Sequence, residues 1–226
     1  MTIDYRLARE ALVRSLRGEI TDARVLGAIG AVPREHFLPE QLRRHAYEDR
    51  ALPIARDQTI SQPLMVAIMT QALSLTGDEK VLEVGTGSGY QAAILSKLAR
   101  EVVSVERLPD LTRAAAHRLD ELGCANVRVL QAGEELGLAE EAPFDAIIVT
   151  AGAPNVPRSL VDQLGQGGRL VVPVGDRKVQ QLVRATKSLS GVSLEKLGEC
   201  RCVPPIAARD GWHEHDSSKN GIRPVA

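Results

Sequence analysis

Residues 80–91, K-V-L-E-V-G-T-G-S-G-Y-Q, constrain this chain more than any other stretch. Val81, Leu82 and Val84 form a short apolar run, broken only by Glu83, that predicts a buried strand. Gly85, Gly87 and Gly89 end the run, and residues 90–98 follow with a helical pattern. A strand, a glycine turn and a helix start let a backbone approach a ligand closely. A Cβ there would forbid the turn or hold the ligand away.

The spacing is G-x-G-x-G rather than the G-x-G-x-x-G of a dinucleotide fingerprint. An NAD-dependent oxidoreductase therefore fits poorly. With Glu83 ahead of the glycines, the stretch resembles motif I of class I S-adenosylmethionine-dependent methyltransferases. By that resemblance, Gly85, Thr86, Gly87, Ser88 and Gly89 wrap the amino-acid and ribose parts of the cofactor, with Glu83 beside them. An ordinary tight turn would look the same locally, so the next strand matters. Residues 101–105, E-V-V-S-V, read as that strand and end at Glu106. An acid that bonds ribose hydroxyls is expected about twenty residues beyond the first glycine of such a unit. Its two acceptor oxygens suit a vicinal diol. The alternative is a solvated glutamate paired with Arg107.

The chain has 226 residues, enough for one large domain or a domain with an extension. Lys+Arg 28 against Asp+Glu 29 gives a net charge of -1, which argues against a broad nucleic-acid or membrane surface. An aromatic content of 3% argues against a base-stacking platform. No apolar run approaches the roughly 18 residues of a membrane span. The opening M-T-I-D-Y-R lacks the apolar core of a secretory signal. Cys124, Cys200 and Cys202 suit neither a disulfide framework nor a zinc site. Buried thiols in a reducing cytoplasm are expected, with no metal.

Ahead of the glycine stretch, residues 4–29 read as helical with a break at Gly18. Residues 32–39, V-P-R-E-H-F-L-P, form a proline-bounded connector in which His36 reads as packed or surface-exposed. Leu64, Ile68, Ala72 and Leu75 then recur at helical spacing. Ser61 precedes that helix and Pro63 lies in its first turn, so position alone makes Ser61 an N-cap. After the glycine stretch, residues 108–122 predict a helix closed by Gly123. Strands are predicted at residues 126–130, 144–149 and 169–174, with closing strands at 180–186 and 199–203. The alternation implies a mainly parallel sheet covered on both faces, with ligands beyond the carboxyl ends of the strands.

Three earlier segments make the resemblance specific: V-P-R-E-H-F-L-P, A-Y-E-D-R-A-L-P-I at 46–54, and Q-T-I-S-Q-P at 58–63. Together they resemble bacterial protein-L-isoaspartate O-methyltransferases. A-P-F-D-A-I-I-V-T at 142–150 and G-G-R-L-V-V-P-V-G at 167–175 continue the match, which covers roughly residues 5–205. The resemblance implies a Rossmann-like α/β fold with a seven-stranded, mainly parallel sheet and an N-terminal helical extension (1–76). The cofactor-binding core would span 77–215, followed by a disordered tail at 216–226. It implies Ser61 as the active-site serine, with Gln58, Thr59 and Ile60 also against the cofactor, together with Arg107. The implied cofactor is S-adenosyl-L-methionine, leaving S-adenosyl-L-homocysteine. The implied partners are isoaspartyl-containing proteins and peptides, bound by a monomer.

The sequence departs from the family at two places. Relatives carry G-D-G after the third strand, with the Asp expected near the adenosine, where this chain has Ala132, Gly133 and Glu134; either Glu134, beside Gly133, reaches the same group or that contact is lost to water. At 202–210, C-V-P-P-I-A-A-R-D places Pro205 and Ile206 where relatives usually have leucine after V-P. Two further readings stay open: an O-methyltransferase for one Asp-containing peptide, and a cofactor-binding protein that has lost catalysis. His213 and His215, in the tail, are weak metal candidates.

Overall fold

The computed structural model describes residues 3–176 and 179–200, with the backbone of Gly221–Ile222. The chain opens with helices α1 (Tyr5–Leu16) and α2 (Ala23–Ala31). The side chains of Asp4 and Asp22 cap them, accepting first-turn N–H groups. Two 3₁₀ turns, Arg34–Phe37 and Glu40–His45, lead to a small hairpin of β1 (Leu52–Pro53) and β2 (Thr59–Ile60), and then to α3 (Pro63–Ala72). His36 is exposed, as a surface residue should be.

The core follows as β3 (Lys80–Val84), α4 (Tyr90–Leu95), β4 (Glu101–Glu106), α5 (Pro109–Glu121) and β5 (Val127–Gln131). It continues with β6 (Phe144–Val149), β7 (Val156–Pro157), α6 (Arg158–Asp162), β8 (Leu164–Gly175), β9 (Gln180–Ser188) and β10 (Gly191–Cys200). Seven strands form one sheet in the order β10-β9-β8-β6-β3-β4-β5. The stretch from β8 to β5 is parallel, and β9 and β10 add antiparallel strands at one edge. This is the expected Rossmann-like α/β fold. β3 is buried on both sides, so alternate residues feed two cores. Val81 packs with α1 to α4 on one face, while Leu82 packs with Leu160 and Val161 of α6 on the other.

The sheet edge differs from the sequence reading. The last closing strand begins at Gly191 rather than 199 and pairs with β9 through a bulge between Lys196 and Gly198. Most of its side chains are exposed, so no apolar run announced it. The last positions of the strand expected at 199–203, together with Cys202, Pro205, Ile206, His213 and His215, lie outside the described residues. Most of the tail expected at 216–226 does too. Within it, the backbone of β11 (Gly221–Ile222) pairs antiparallel with β7. Cys124 and Cys200 are buried.

Arg34 ties the extension to the core. Its side chain is fully buried, and burial pulls the guanidinium below its usual pKa. Nε donates to the Ala46 carbonyl at 2.8 Å and Nη2 to that of Arg50 at 3.4 Å. The guanidinium also lies 5.0 Å from the ring centroid of Tyr90 in α4, a cation–π distance. Among the described residues no helix is long and apolar enough to cross a membrane.

Candidate active site

The carboxyl ends of β3, β4, β5 and β6 open into one cleft, at the side of the sheet where such folds bind ligands. It encloses about 1140 Å³ including its open mouth. The extension supplies one wall with Gln58, Thr59, Ile60 and Ser61. The sheet supplies the other with Gly85–Ser88, Glu106, Arg107 and Gly133. Segments predicted from separate parts of the sequence therefore meet.

The glycine loop is held by the strands around it. Gly85 N–H and Thr86 N–H both donate to the Val105 carbonyl, at 2.9 and 3.3 Å. Gly85 has φ +100°, and a Cβ there would run into Thr150 Oγ1. That hydroxyl in turn donates to the Gly85 carbonyl at 2.6 Å. Only glycine satisfies the turn and the close approach together. Gly87 presents a bare backbone to the cleft, and its N–H donates to Glu106 Oε2 at 2.8 Å.

Glu106 thus has a structural partner on each oxygen, since Oε1 accepts the Leu108 N–H at 3.0 Å. A carboxylate has about four lone-pair sites, so it keeps acceptors for a diol. The pairing with Arg107 considered from sequence gives way to these backbone donors. The fit to the implied cofactor rests on three features: a glycine backbone, an anchored carboxylate, and apolar walls at Val84, Val105, Leu136 and Val149.

Three of the residues expected around the cofactor are not on the cleft wall. Glu83 is fully buried in β3 beneath the loop. Its Oε2 accepts the Ser104 hydroxyl at 2.5 Å, whose oxygen lies 2.5 Å from Thr86 Oγ1. Its other oxygen has no partner among the described residues, and burial pushes the carboxyl up to about 8, opposed by the Ser104 bond and assisted by the Glu106 charge. Gly89 faces α5, where a Cβ would meet Ala115 Cβ at 3.3 Å. Glu134 gives way to Glu135, which lines the cleft with Leu136 and Gly137. Buried Gln163 shapes that segment, accepting the Leu138 N–H at 2.8 Å and donating to the Leu136 carbonyl at 2.9 Å. No sequence signal near 134 announces a brace from residue 163.

Ser61 lies on the wall between β2 and α3. It is not the helix cap that its position suggested. The cap position is Gln62, Pro63 opens the helix, and no side chain within the segment caps it. Val66, Met69, Tyr90, Gln91, Thr150 and Ala151 also line the cleft without having been foreseen. Their residue types are ordinary for a core, and only the fold turns them toward the space.

The comparisons with known proteins agree with this geometry. Residues 7–210 match the family model for protein-L-isoaspartate(D-aspartate) O-methyltransferase. A protein-L-isoaspartate O-methyltransferase of Syntrophotalea carbinolica is 48% identical over 215 residues, covering 94% of this chain and 99% of its own. One from Syntrophobacter fumaroxidans is 50% identical over 213 residues, with 93% and 99% covered. Among solved structures, a protein-L-isoaspartate O-methyltransferase superposes with a TM-score of 0.80 at 29% identity, over 88% of this chain and 66% of that longer one. A Plasmodium falciparum relative, solved in complex with S-adenosyl-L-homocysteine, gives 0.76 at 26% identity, with 90% and 98% covered. By its sequence, its fold and the composition of its cleft, the chain belongs to the protein-L-isoaspartate O-methyltransferase family.

Proposed function

We propose that the cleft binds S-adenosyl-L-methionine and directs its methyl group to the α-carboxylate of L-isoaspartyl residues in damaged proteins. The backbone nitrogen of the following residue then attacks the ester carbonyl and expels methanol, closing a succinimide whose hydrolysis returns a fraction of the residues to normal aspartate. The observation that carries this reading is Ser61 on one wall of the cleft facing the Gly85–Ser88 loop and Glu106 on the other. The buried thiol of Cys124 suits a reducing cytoplasm.

When bound, the cofactor supplies a methyl group already activated by its sulfonium. The protein's own residues then have modest tasks. A substrate carboxylate with a pKa of about 4 is ionised at neutral pH, so no general base is required. Glu106 and the Gly87 backbone offer a diol acceptor and a close-approach surface. Gln58, Thr59 and Ile60 close the opposite side. The Ser61 hydroxyl orients the substrate carboxylate beside the backbone of the Thr59–Ser61 turn. It is not a nucleophile in this reading, since among the described residues no histidine lines the cleft to take its proton. Val66, Met69 and Val149 exclude water, which favours a charged carboxylate becoming a neutral ester.

The test is methyl transfer from labelled cofactor to paired peptides carrying L-isoaspartate or L-aspartate at one position. Base-labile ester on the isoaspartyl peptide alone is expected. Ester confined to one normal aspartyl peptide would favour a peptide-tailoring enzyme, and cofactor binding with no ester on either would mean lost catalysis. Within that assay Ser61→Ala should lower kcat about 10- to 100-fold, the cost of one hydrogen bond to a charged group. Its affinity for S-adenosyl-L-homocysteine should not change. Full turnover in that variant would remove Ser61 from the mechanism.

A further inference from the structure

The segment A-Y-E-D-R-A-L-P-I contributes no residue to the cleft wall before Gln58, yet it contains the side chain that holds α3. Asp49 Oδ1 accepts the Leu64 N–H at 2.9 Å, and Asp49 Oδ2 accepts from Gln62 Nε2 at 3.0 Å. Leu64 is the second residue of α3, so its N–H is one of the first-turn donors that a helix cannot satisfy internally. Pro63 has no N–H to offer. Asp49 therefore caps the helix from outside the segment, and its negative charge suits the helix N-terminus.

Ser61 would otherwise compete for the same donor. A serine acting as N-cap accepts the N–H two or three residues on. From Ser61, the residue three on is Leu64. If the serine took that bond, its hydroxyl oxygen would turn back onto the helix and its backbone would become the cap. With Asp49 on Leu64, the cap position passes to Gln62, and Ser61 stays one residue outside the helix on the cleft wall.

We propose that Asp49 is a positioning residue for Ser61: by holding the Leu64 N–H and the Gln62 amide, it keeps the Ser61 hydroxyl out of helix capping and available to the substrate carboxylate. The proposal rests on the reading of Ser61 given above. Asp49 touches neither substrate nor cofactor in this account. Its effect on the reaction passes wholly through the serine.

The experiment is a double-mutant cycle in the full chain, assayed on an isoaspartyl peptide, with S-adenosyl-L-homocysteine affinity measured by calorimetry. Asp49→Ala should lower kcat about 10- to 100-fold, as expected when a reacting partner is displaced by an ångström or so. Cofactor affinity should hold. Asp49→Asn keeps an oxygen for the Leu64 N–H, and its amide N–H can donate to Gln62 Oε1 once the Gln62 amide turns over, so it should recover most of the lost turnover. In a Ser61→Ala background, adding Asp49→Ala should cost little more, because the two act in series. Losses that multiply, an Asn variant as poor as the Ala variant, or an Ala variant with full kcat would each overturn the proposal. If Ser61→Ala itself kept full turnover, the serine's own role would fall first and Asp49's with it.

Discussion

Two regions build the cleft by different means. On the sheet side, Gly85 follows β3 and Glu106 ends β4, adjacent parallel strands whose register pairs Val84 with Val105. Backbone bonds fix them: the loop donates to Val105, and Gly87 donates to Glu106. In the extension, the Gln58–Ser61 segment depends on side chains reaching across the fold. Asp49 holds α3, Arg34 holds the carbonyls of Ala46 and Arg50, and Arg56 pairs with Asp110 at the start of α5. A ladder distributes its support over many bonds, whereas one substitution can release a side-chain anchor. The sheet wall should therefore fail only to changes in its backbone, and the extension wall to single side chains.

The largest expected effect breaks the sheet wall. Gly85→Ala places a Cβ against Thr150 Oγ1 at a φ of +100°, a conformation that strains any residue with a side chain whatever the space around it. Such a backbone conformation costs a residue with a side chain about 1–3 kcal/mol before the contact is counted. Affinity for S-adenosyl-L-homocysteine should fall by about 100-fold or more, roughly 2.7 kcal/mol, by calorimetry. The chain should still unfold cooperatively. Binding within a few-fold of the unmodified chain would mean that the loop is not held by its ladder as described.

A more gradual effect, spread over several pH units, concerns the buried acid beneath that loop. The Glu83 carboxyl is pushed up to about 8 from 4.5 by burial, so the folded chain holds a proton that the unfolded chain releases. Stability is then full below the unfolded value and declines as pH rises from 4.5 toward 8. The slope for one proton is at most about 1.4 kcal/mol per pH unit. Glu83→Gln mimics the protonated form and removes this dependence. Urea unfolding across that range should show the variant gaining on the unmodified chain as pH rises. Parallel profiles would mean that Glu83 is ionised in the fold and that its charge is met by something other than the Ser104 hydroxyl.

These two residues also mark what the sequence made legible. Gly85, Gly87 and Glu106 could be read because strand, turn and next strand end are local events with fixed spacing. Ser61 could be read only through its family resemblance, since its position alone made it a cap. What decided the matter was Asp49, a contact across a loop with no periodic signature. Glu83 precedes the glycines, which points to the cofactor, but β3 is buried on both faces and its carboxyl lies inside against its cross-strand neighbour Ser104. Glu135 replaces Glu134 on the cleft wall because Gln163 sets the path of that loop. The closing strand at 191–200 was largely missed because an exposed edge carries few apolar residues.

The smallest effect sharpens the contrast, because it makes the opposite substitution in the same kind of backbone. Arg56 and Asp57, between β1 and β2, have φ of +62° and +55°. A left-handed residue with a side chain costs roughly 1–2 kcal/mol, with aspartate among those that tolerate it best. Asp57→Gly relieves that cost, but glycine loses about 0.5–1 kcal/mol more backbone entropy on folding. Stability should rise by less than about 1 kcal/mol, and cofactor affinity should stay within about twofold. Thermal unfolding together with calorimetry reads both. A marked loss of stability would show that the Asp57 side chain is itself an anchor, like Asp49. A neutral or slightly positive result would show that the hairpin tolerates a freer backbone as long as its side-chain anchors remain, whereas the glycine loop does not tolerate a stiffer one.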